Sequence, residues 1–183
     1  MPKNIMTIYQ NPYGLKDQDV EHFASRVKAL LVNSSNQILL CKTKGAFSLI
    51  GGHLEENETE QDCLKREVLE ETGILVNQNY QPLFRLINFD NDYFATGKKA
   101  KSTITYFAVF TDEKIDAKKQ NLDEEEKKDG FELLYVDVDD VERLLKADAG
   151  YKTKEGLYNE IIFAAGELKK IKKPQELQQQ ERC

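Results

Sequence analysis

Residues 51–74 of this chain read GGHLEENETEQDCLKREVLEETGI, and their periodicity differs from that of the preceding residues. The part from Thr59 to Thr72 contains neither proline nor glycine. It is followed by Gly73, the residue type expected just after a helix C-terminus. Leu64 and Val68 are four residues apart and form an apolar stripe. The stretch therefore predicts a helix that begins shortly after a glycine bend.

Three glutamates share one flank of this predicted helix. On a wheel of about 100° per residue, Glu70 and Glu71 lie about 60° and 40° to either side of Glu67. They border the apolar stripe, whereas a helix normally keeps its charges on the opposite side. Crowded carboxylates repel one another, and a divalent cation such as Mg²⁺ or Mn²⁺ removes the repulsion. The same spacing also fits a solvated acidic face on a highly charged protein.

A glycine pair stands directly before this segment. Gly51 and Gly52 end an apolar run, and backbone without Cβ lets a ligand or metal approach closely. An ordinary loop explains a glycine pair equally well when it is taken alone. Here the loop from Gly52 to Glu58 leads straight into the acidic helix, so it can place a carbonyl oxygen beside the carboxylates.

The same residues resemble a known motif. The probability that a chain of this length matches all fixed positions of the motif by chance is on the order of 10⁻⁷. The segment is similar to the Nudix box of the Nudix hydrolases, the superfamily that includes MutT. The resemblance implies an α/β/α sandwich with a mixed β-sheet, and hydrolysis of a nucleoside diphosphate linked to another moiety with Mg²⁺ or Mn²⁺. The matching positions are Gly52, Glu58, Arg66, Glu67, Val68, Glu70, Glu71, Gly73 and Ile74.

The resemblance also implies metal ligands. Glu70 and Glu71 are expected to bind the ion directly. Glu67 is expected to be either a third ligand or the group that activates water. Gly51 precedes the box, at a position whose backbone carbonyl often joins the metal shell in this family.

Further catalytic residues follow from the same resemblance. Arg66 and Glu58 are expected to form a charge pair that fixes the loop against the helix and orients the acidic side chains. Many relatives draw another base or ligand from a loop before a late strand. The candidates here are Glu124, Glu125 and Glu126, which otherwise belong to a solvated charge run.

Candidates for substrate contact are four residues outside the acidic cluster. His53 follows Gly52 directly and either faces the substrate or lies on the surface. Phe47, Tyr93 and Phe94 have aromatic faces that can stack on a base, and the alternative for each is packing in the core or a loop. No signature of a known subfamily is evident, so the substrate stays open at this level.

The rest of the chain predicts a mixed α/β domain. Residues 1–21 are weakly patterned and are interpreted as an N-terminal arm, residues 22–170 as the hydrolase domain, and residues 171–183 as a polar, flexible tail. Strands precede and follow the acidic helix, and further helices come last, which favours a sandwich over a βαβ repeat. The predicted strands are 24–32, 37–41, 82–89, 103–110 and 131–136, and the later helices are 141–145 and 155–170.

Composition excludes several classes of function. The 183 residues include 26 Lys and Arg and 32 Asp and Glu, a net charge of −6, which argues against a nucleic-acid partner. No apolar stretch approaches the roughly 20 residues of a membrane span. The three cysteines form no disulfide framework, so a cytoplasmic location is expected.

Three functions compete on these observations. The first is a nucleoside triphosphate pyrophosphohydrolase, and the second is a nucleotide-sugar or dinucleotide pyrophosphatase. The third, from another class, is a non-catalytic nucleotide-sensing module, which would normally have lost some of the acidic positions. The apolar face of residues 158–168 packs either on the sandwich or against a second copy in a homodimer.

Overall fold

The computed structural model describes residues 5–171, apart from the side chain of Glu125. The first four residues and the predicted tail from residue 172 onward lie outside the described part. Within residues 5–171, no helix has both the length and the apolar character required to cross a bilayer.

Seven strands form one mixed sheet. The strands are β1 (Met6–Gln10), β2 (His22–Val32), β3 (Gln37–Thr43), β4 (Ala46–Leu49), β5 (Tyr80–Asp90), β6 (Ala100–Phe110) and β7 (Glu132–Asp137). Their order in the sheet is β1-β5-β6-β2-β3-β4, and β7 pairs with β3. The pairs β1–β5 and β2–β6 are parallel and all others are antiparallel, which confirms the predicted mixed sheet.

The acidic helix is the first of four. Its N-cap is Thr59, whose side chain accepts a hydrogen bond from the backbone N–H of Asp62 at 3.2 Å. It ends at Gly73, whose φ of 73° lies in the left-handed region that favours glycine. The predicted helix is thereby confirmed. The helices are α1 (Glu60–Thr72), α2 (Glu124–Lys128), α3 (Val141–Ala147) and α4 (Glu155–Leu168).

Helices cover both faces of the sheet. Alternate side chains of a strand point to opposite faces, and β2 follows this rule. Leu30 and Val32 pack in a core that includes residues of α3 and α4. Val27, Ala29 and Leu31 pack in a second core with residues of α1. The architecture is therefore the expected α/β/α sandwich.

The N-terminal segment differs from the sequence interpretation. Part of the supposed arm, residues 6–10, forms β1 and pairs in parallel with residues 84–88 of β5. Four of its five residues are exposed, so it lacks the alternation of buried and exposed positions that identifies a strand in a sequence. Its extended conformation comes from pairing with a distant strand.

The glycine bend lies along an edge of β2. That strand pairs with β3 only at Val32, so most of its second edge is open to another segment. Residues 50–54 fill this edge: Ala29 N–H donates to the carbonyl of Ile50 at 2.8 Å, and Val27 N–H donates to that of Gly52 at 3.0 Å. The bend is therefore fixed between β2 and α1.

Candidate active site

The three glutamates of α1 lie on the flank that faces the glycine bend. Glu71 is the most deeply buried, at 4% exposure, and its Oε1 accepts the backbone N–H of Gly51 at 2.9 Å. The side chains of Glu67 and Glu70 are 14% and 33% exposed. The acidic cluster is therefore partly dehydrated rather than spread over an open helix face.

Glu71 is a buried carboxyl whose ionised form is poorly stabilised by its surroundings. Burial raises the pKa of its carboxyl to about 8, although the positive charge of Lys28 and the Gly51 N–H both favour the ionised form. No ion pair to Glu71 forms within residues 5–171. A buried carboxylate without a paired cation is costly, so this position favours the arrival of one.

Arg66 connects the loop to the acidic cluster. Its Nε and Nη2 donate to the two carboxylate oxygens of Glu58 at 2.8 and 2.9 Å. Its Nη1 donates to Glu67 at 2.8 Å and to Glu70 at 3.0 Å, and Nη2 also reaches the carbonyl of His53 at 3.0 Å. One planar guanidinium thus holds the loop and orients two of the three acids.

We expect Arg66→Lys to lower kcat about 10- to 100-fold, because an ammonium cannot hold Glu58 in two bonds while also positioning Glu67 and Glu70. Steady-state kinetics at saturating metal measures the effect. Arg143→Lys is the matched control, since Arg143 pairs with Asp140 on the exposed surface of α3. An unchanged kcat in the Arg66 variant would contradict the orienting role.

The Glu58–Arg66 pair also makes stability depend on pH. Hydrogen bonding to Arg66 lowers the pKa of Glu58 from 4.5 to about 2. The folded-state pKa lies below the unfolded one, so the pair stabilises the fold fully above pH 4.5 and loses this contribution as pH falls toward 2. In thermal unfolding, wild type should have a higher Tm than Glu58→Gln at neutral pH, and this gap in Tm should close below pH 4.5. A gap of constant size would be inconsistent with this linkage.

Gly52 leaves room for the Glu67 carboxylate. A Cβ built at Gly52 would collide with the carboxylate oxygens and Cδ of Glu67. Burial raises the pKa of Glu67, and its bond to Arg66 opposes that rise. Only glycine at this position permits the acid to lie against the bend.

The predicted extra base candidates have different surroundings. Glu124 is exposed and pairs with Lys127 at 2.9 Å. Glu126 is half-buried, burial raises its pKa, and the charges of Asp123 and Glu70 raise it further. Glu126 therefore faces the acidic cluster, and Glu124 turns to solvent.

The loop that leads into α2, the helix that carries Glu126, is docked on the end of α1. Helix C-termini leave carbonyl groups without intrahelical partners, and this loop satisfies three of them. It therefore holds Glu126 near the cluster through contacts that sequence patterns did not predict. The bonds are Asn121 N–H to Glu70 O at 2.8 Å, Gln120 Nε2 to Glu71 O at 2.6 Å and Asp116 N–H to Thr72 O at 3.0 Å.

Three of the four sequence candidates for substrate contact, His53, Tyr93 and Phe94, gather around Arg26, and these four residues form an aromatic rim. Arg26 Nε donates to His53 Nε2 at 2.8 Å, and its Nη2 donates to Tyr93 Oη at 3.0 Å. The guanidinium lies 5.0 Å from the ring centre of Phe94, which is 67% exposed. Burial, with nearby Arg26 and Lys28, lowers the pKa of His53, which favours its neutral form.

The backbone of this rim is strained. Phe94 and the next residue, Ala95, have φ values of 49° and 57°, in the left-handed region that bulky residues rarely adopt. Such strain often accompanies functional sites, because the fold has to maintain it. Phe47, in contrast, is a core residue at 6% exposure that packs against Tyr158, so the structure removes it from the residues available to a substrate.

Lys28 and Arg26 are site residues that sequence reasoning missed. Both lie on β2, and Lys28 Nζ donates to the carbonyl oxygens of Leu49 at 3.0 Å and Gly51 at 2.9 Å. The available signal was the alternation of charged and apolar residues in the first half of 24–32. Strands that are buried on both faces are apolar along their length, so the cationic side chains of Arg26 and Lys28 indicate a role other than core packing.

The donor groups suit a hard divalent cation. All of them are oxygens, and they come from one helix flank and the glycine bend. Within the described residues, however, no three His, Cys, Asp or Glu side chains converge into a ready metal site. Arg66 binds Glu67 and Glu70, and Lys28 binds the Gly51 carbonyl, so protein cations occupy part of the donor set. The poorly balanced Glu71 is the feature that fits a metal best.

A protein-family comparison agrees with this geometry. The model of the NUDIX domain matches residues 22–157, more than half of the chain. The chain belongs to the Nudix family. It is a Nudix hydrolase domain, and the family is one of pyrophosphohydrolases.

Two kinds of relatives accompany the family match. The NAD-capped RNA hydrolase NudC of Vibrio parahaemolyticus is 49% identical over 49 residues, which cover 25% of this chain and 19% of that protein. The chain thus matches about a fifth of that relative's length. Among solved structures, a MutT from work on Aliivibrio salmonicida and Vibrio cholerae has a TM-score of 0.49 at 17% identity, covering 76% of this chain and 97% of that one. A MutT from Bacillus halodurans has 0.47 at 24%, covering 66% and 72%.

Proposed function

We propose that this Nudix hydrolase domain hydrolyses a nucleoside triphosphate to a nucleoside monophosphate and pyrophosphate, with Mg²⁺ or Mn²⁺ as cofactor. The single observation that carries the proposal is Glu71, a buried and poorly balanced carboxylate beside the Gly51 bend, flanked by Glu67 and Glu70. An acidic cluster that served only solubility would be hydrated, whereas this one is held in place by Arg66.

The chain's own residues then have separable roles. Glu70, Glu71 and the carbonyl of Gly51 would hold the metal, which when bound neutralises phosphate charge and lowers the pKa of bound water. Water attacks the α- or β-phosphorus and the oxygen bridge between these two phosphorus atoms breaks. The leaving group, which is pyrophosphate after attack at the α-position and the nucleoside monophosphate after attack at the β-position, takes the electron pair of that bond. The proton of the attacking water goes to a carboxylate, for which Glu67 and Glu126 are the candidates.

The aromatic rim supplies a surface for the base. Phe94 presents an exposed ring backed by the Arg26 guanidinium, and a planar base can stack on it. We expect Phe94→Ala to raise KM about tenfold with little change in kcat, because stacking is worth about 1–3 kcal/mol per base. Phe23→Ala is the control, since Phe23 is similarly exposed on β2 at 65%. Equal KM values for the two variants would exclude Phe94 as a stacking surface.

A product analysis tests the proposed reaction. The wild-type protein is incubated with nucleoside triphosphates, diphosphate sugars and dinucleotides, each with Mg²⁺ and with Mn²⁺, and the released phosphates are identified. Pyrophosphate with a monophosphate is the expected product, and a Glu71→Gln preparation controls for contaminating phosphatases. Failure to cleave any triphosphate would overturn this choice of substrate.

A dinucleotide pyrophosphatase is the second candidate. The 49-residue match to the NAD-capped RNA hydrolase favours it, although that match covers a small part of the relative. Two monophosphates from NAD, with no turnover of triphosphates, would support this candidate. Including an NAD-capped RNA in the panel also tests the expectation, based on the net charge of −6, that nucleic acid is not a partner.

A non-catalytic sensing module agrees less well with the site, because every acidic position of the box is present. The cytoplasmic location is proposed from the free, buried Cys41 and Cys63, and burial raises the pKa of Cys63 to about 12. Such a thiol is a packing group rather than a nucleophile. The homodimer stays a prediction, for which light scattering is the test.

A further inference from the structure

Lys28 makes an unusual set of contacts for a lysine inside a sheet. Its ammonium donates to two backbone carbonyls, those of Leu49 and Gly51, at 3.0 and 2.9 Å. Within residues 5–171 it forms no ion pair with a carboxylate. Its side chain is half-buried. A lysine that serves only the surface would place its ammonium in water.

The two polar groups of Gly51 point to opposite charges. Its N–H donates to the Glu71 carboxylate at 2.9 Å, and its carbonyl accepts from the Lys28 ammonium at 2.9 Å. Lys28 therefore supplies positive charge next to the oxygens proposed as metal ligands. Burial raises the pKa of Glu71, and the positive charge of Lys28 opposes this larger effect by favouring the ionised form.

Lys28 is not required to hold the bend in place. Ile50 and Gly52, on either side of Gly51, are already bonded to β2 through Ala29 N–H and Val27 N–H. A Cβ at Gly51 would collide with the carbonyl of Val27, which shows how closely the bend packs on β2. These backbone bonds fix the direction of the Gly51 carbonyl without the lysine. The Lys28 ammonium is an additional donor to that oxygen, at a position that a metal ligated by the carbonyl would take.

We propose that Lys28 is an internal competitor for the metal ion, whose ammonium occupies the Gly51 carbonyl in the metal-free protein and has to leave it before a divalent cation binds there. The inference rests on the proposed metal site. An ammonium and a divalent ion on one oxygen repel each other strongly in partly dehydrated surroundings. The apparent metal affinity is then reduced by the fraction of molecules in which Lys28 is engaged.

Metal binding to purified, metal-free protein tests this directly. Free Mn²⁺ is measured by its EPR signal during titration of wild type, Lys28→Met, Lys28→Arg and Lys65→Met. We expect Lys28→Met to bind Mn²⁺ about tenfold more tightly than wild type, in the range of typical coupling between two sites. Lys28→Arg, which keeps the charge, should stay close to wild type. Lys65→Met removes the same charge from α1 at a side chain that lies 5.9 Å from the ring centre of Tyr80, and should have no effect.

A second measurement needs no variant of the competing residue to fold. In NMR spectra of isotope-labelled wild type, the side-chain signals of Lys28, assigned by triple-resonance experiments on the wild type itself, should shift with the same midpoint as Mg²⁺ binding. Unchanged or weaker Mn²⁺ binding in Lys28→Met, or a Lys28 signal indifferent to Mg²⁺, overturns the inference and leaves the proposed function standing. If wild type binds neither ion, with or without a nucleoside triphosphate, the proposed function itself fails.

Discussion

Glu71→Gln is expected to lower kcat by a factor on the order of 10³ while the protein stays folded, because a bound divalent ion contributes several kcal/mol to the transition state. The amide keeps the shape of the side chain and an oxygen that can accept the Gly51 N–H. It removes the negative charge on which cation binding depends. Initial rates over a range of Mg²⁺ concentrations measure the loss, and added metal should not restore the rate.

Stability separates this effect from misfolding. The variant in EDTA should unfold at a temperature no lower than wild type, because a neutral amide replaces a buried carboxylate that lacks an ion-pair partner. Glu56→Gln removes the same charge from an exposed loop position and should leave kcat unchanged. Full activity in the Glu71 variant would refute the assignment of Glu71 as a ligand.

Gly51→Ala is expected to lower the free energy of unfolding by about 3 kcal/mol. The φ of Gly51 is 126°, a conformation that residues with a side chain rarely adopt. The added Cβ would also press on the backbone carbonyl of Val27, which cannot move without shifting β2. For a protein of this size, the loss corresponds to a Tm about 10 °C lower.

Gly97→Ala is the matched control for this prediction. Gly97 has a φ of 75° with no atom near the position of a Cβ, so only conformational strain of about 1 kcal/mol is expected. Urea unfolding of both variants gives the comparison. If the two lose the same stability, the bend is not packed on β2 as described.

Much of the site could be predicted from the sequence because it is local. The helix, its Gly73 terminus and the shared flank of Glu67, Glu70 and Glu71 all follow from residues within one turn or two of each other. The Arg66–Glu58 pair came from the resemblance to the Nudix box, and the structure contains it. Secondary structure set by periodicity was likewise found where it was expected.

The surroundings of the cluster could not be predicted, because they depend on contacts between distant parts of the chain. Arg26 contacts residues 27 and 67 positions away, and the loop before α2 contacts the end of α1. The strand β1 has no burial pattern of its own and exists through pairing with β5. Phe47 and Phe94 are both phenylalanines that the sequence offered as stacking surfaces, yet Phe47 is buried and Phe94 is exposed.

The sequence by itself determined which glutamates of α1 lie together, since spacing along one helix fixes which side chains share a flank. Only the tertiary structure decided how charged those residues are and what they touch. Three features arise where β2, α1 and the loops meet: the burial of Glu71, the hydrogen bond from the Lys28 ammonium to Gly51, and the rim around Arg26. Electrostatic energies depend on dehydration and distance in space, and neither can be read from order along the chain.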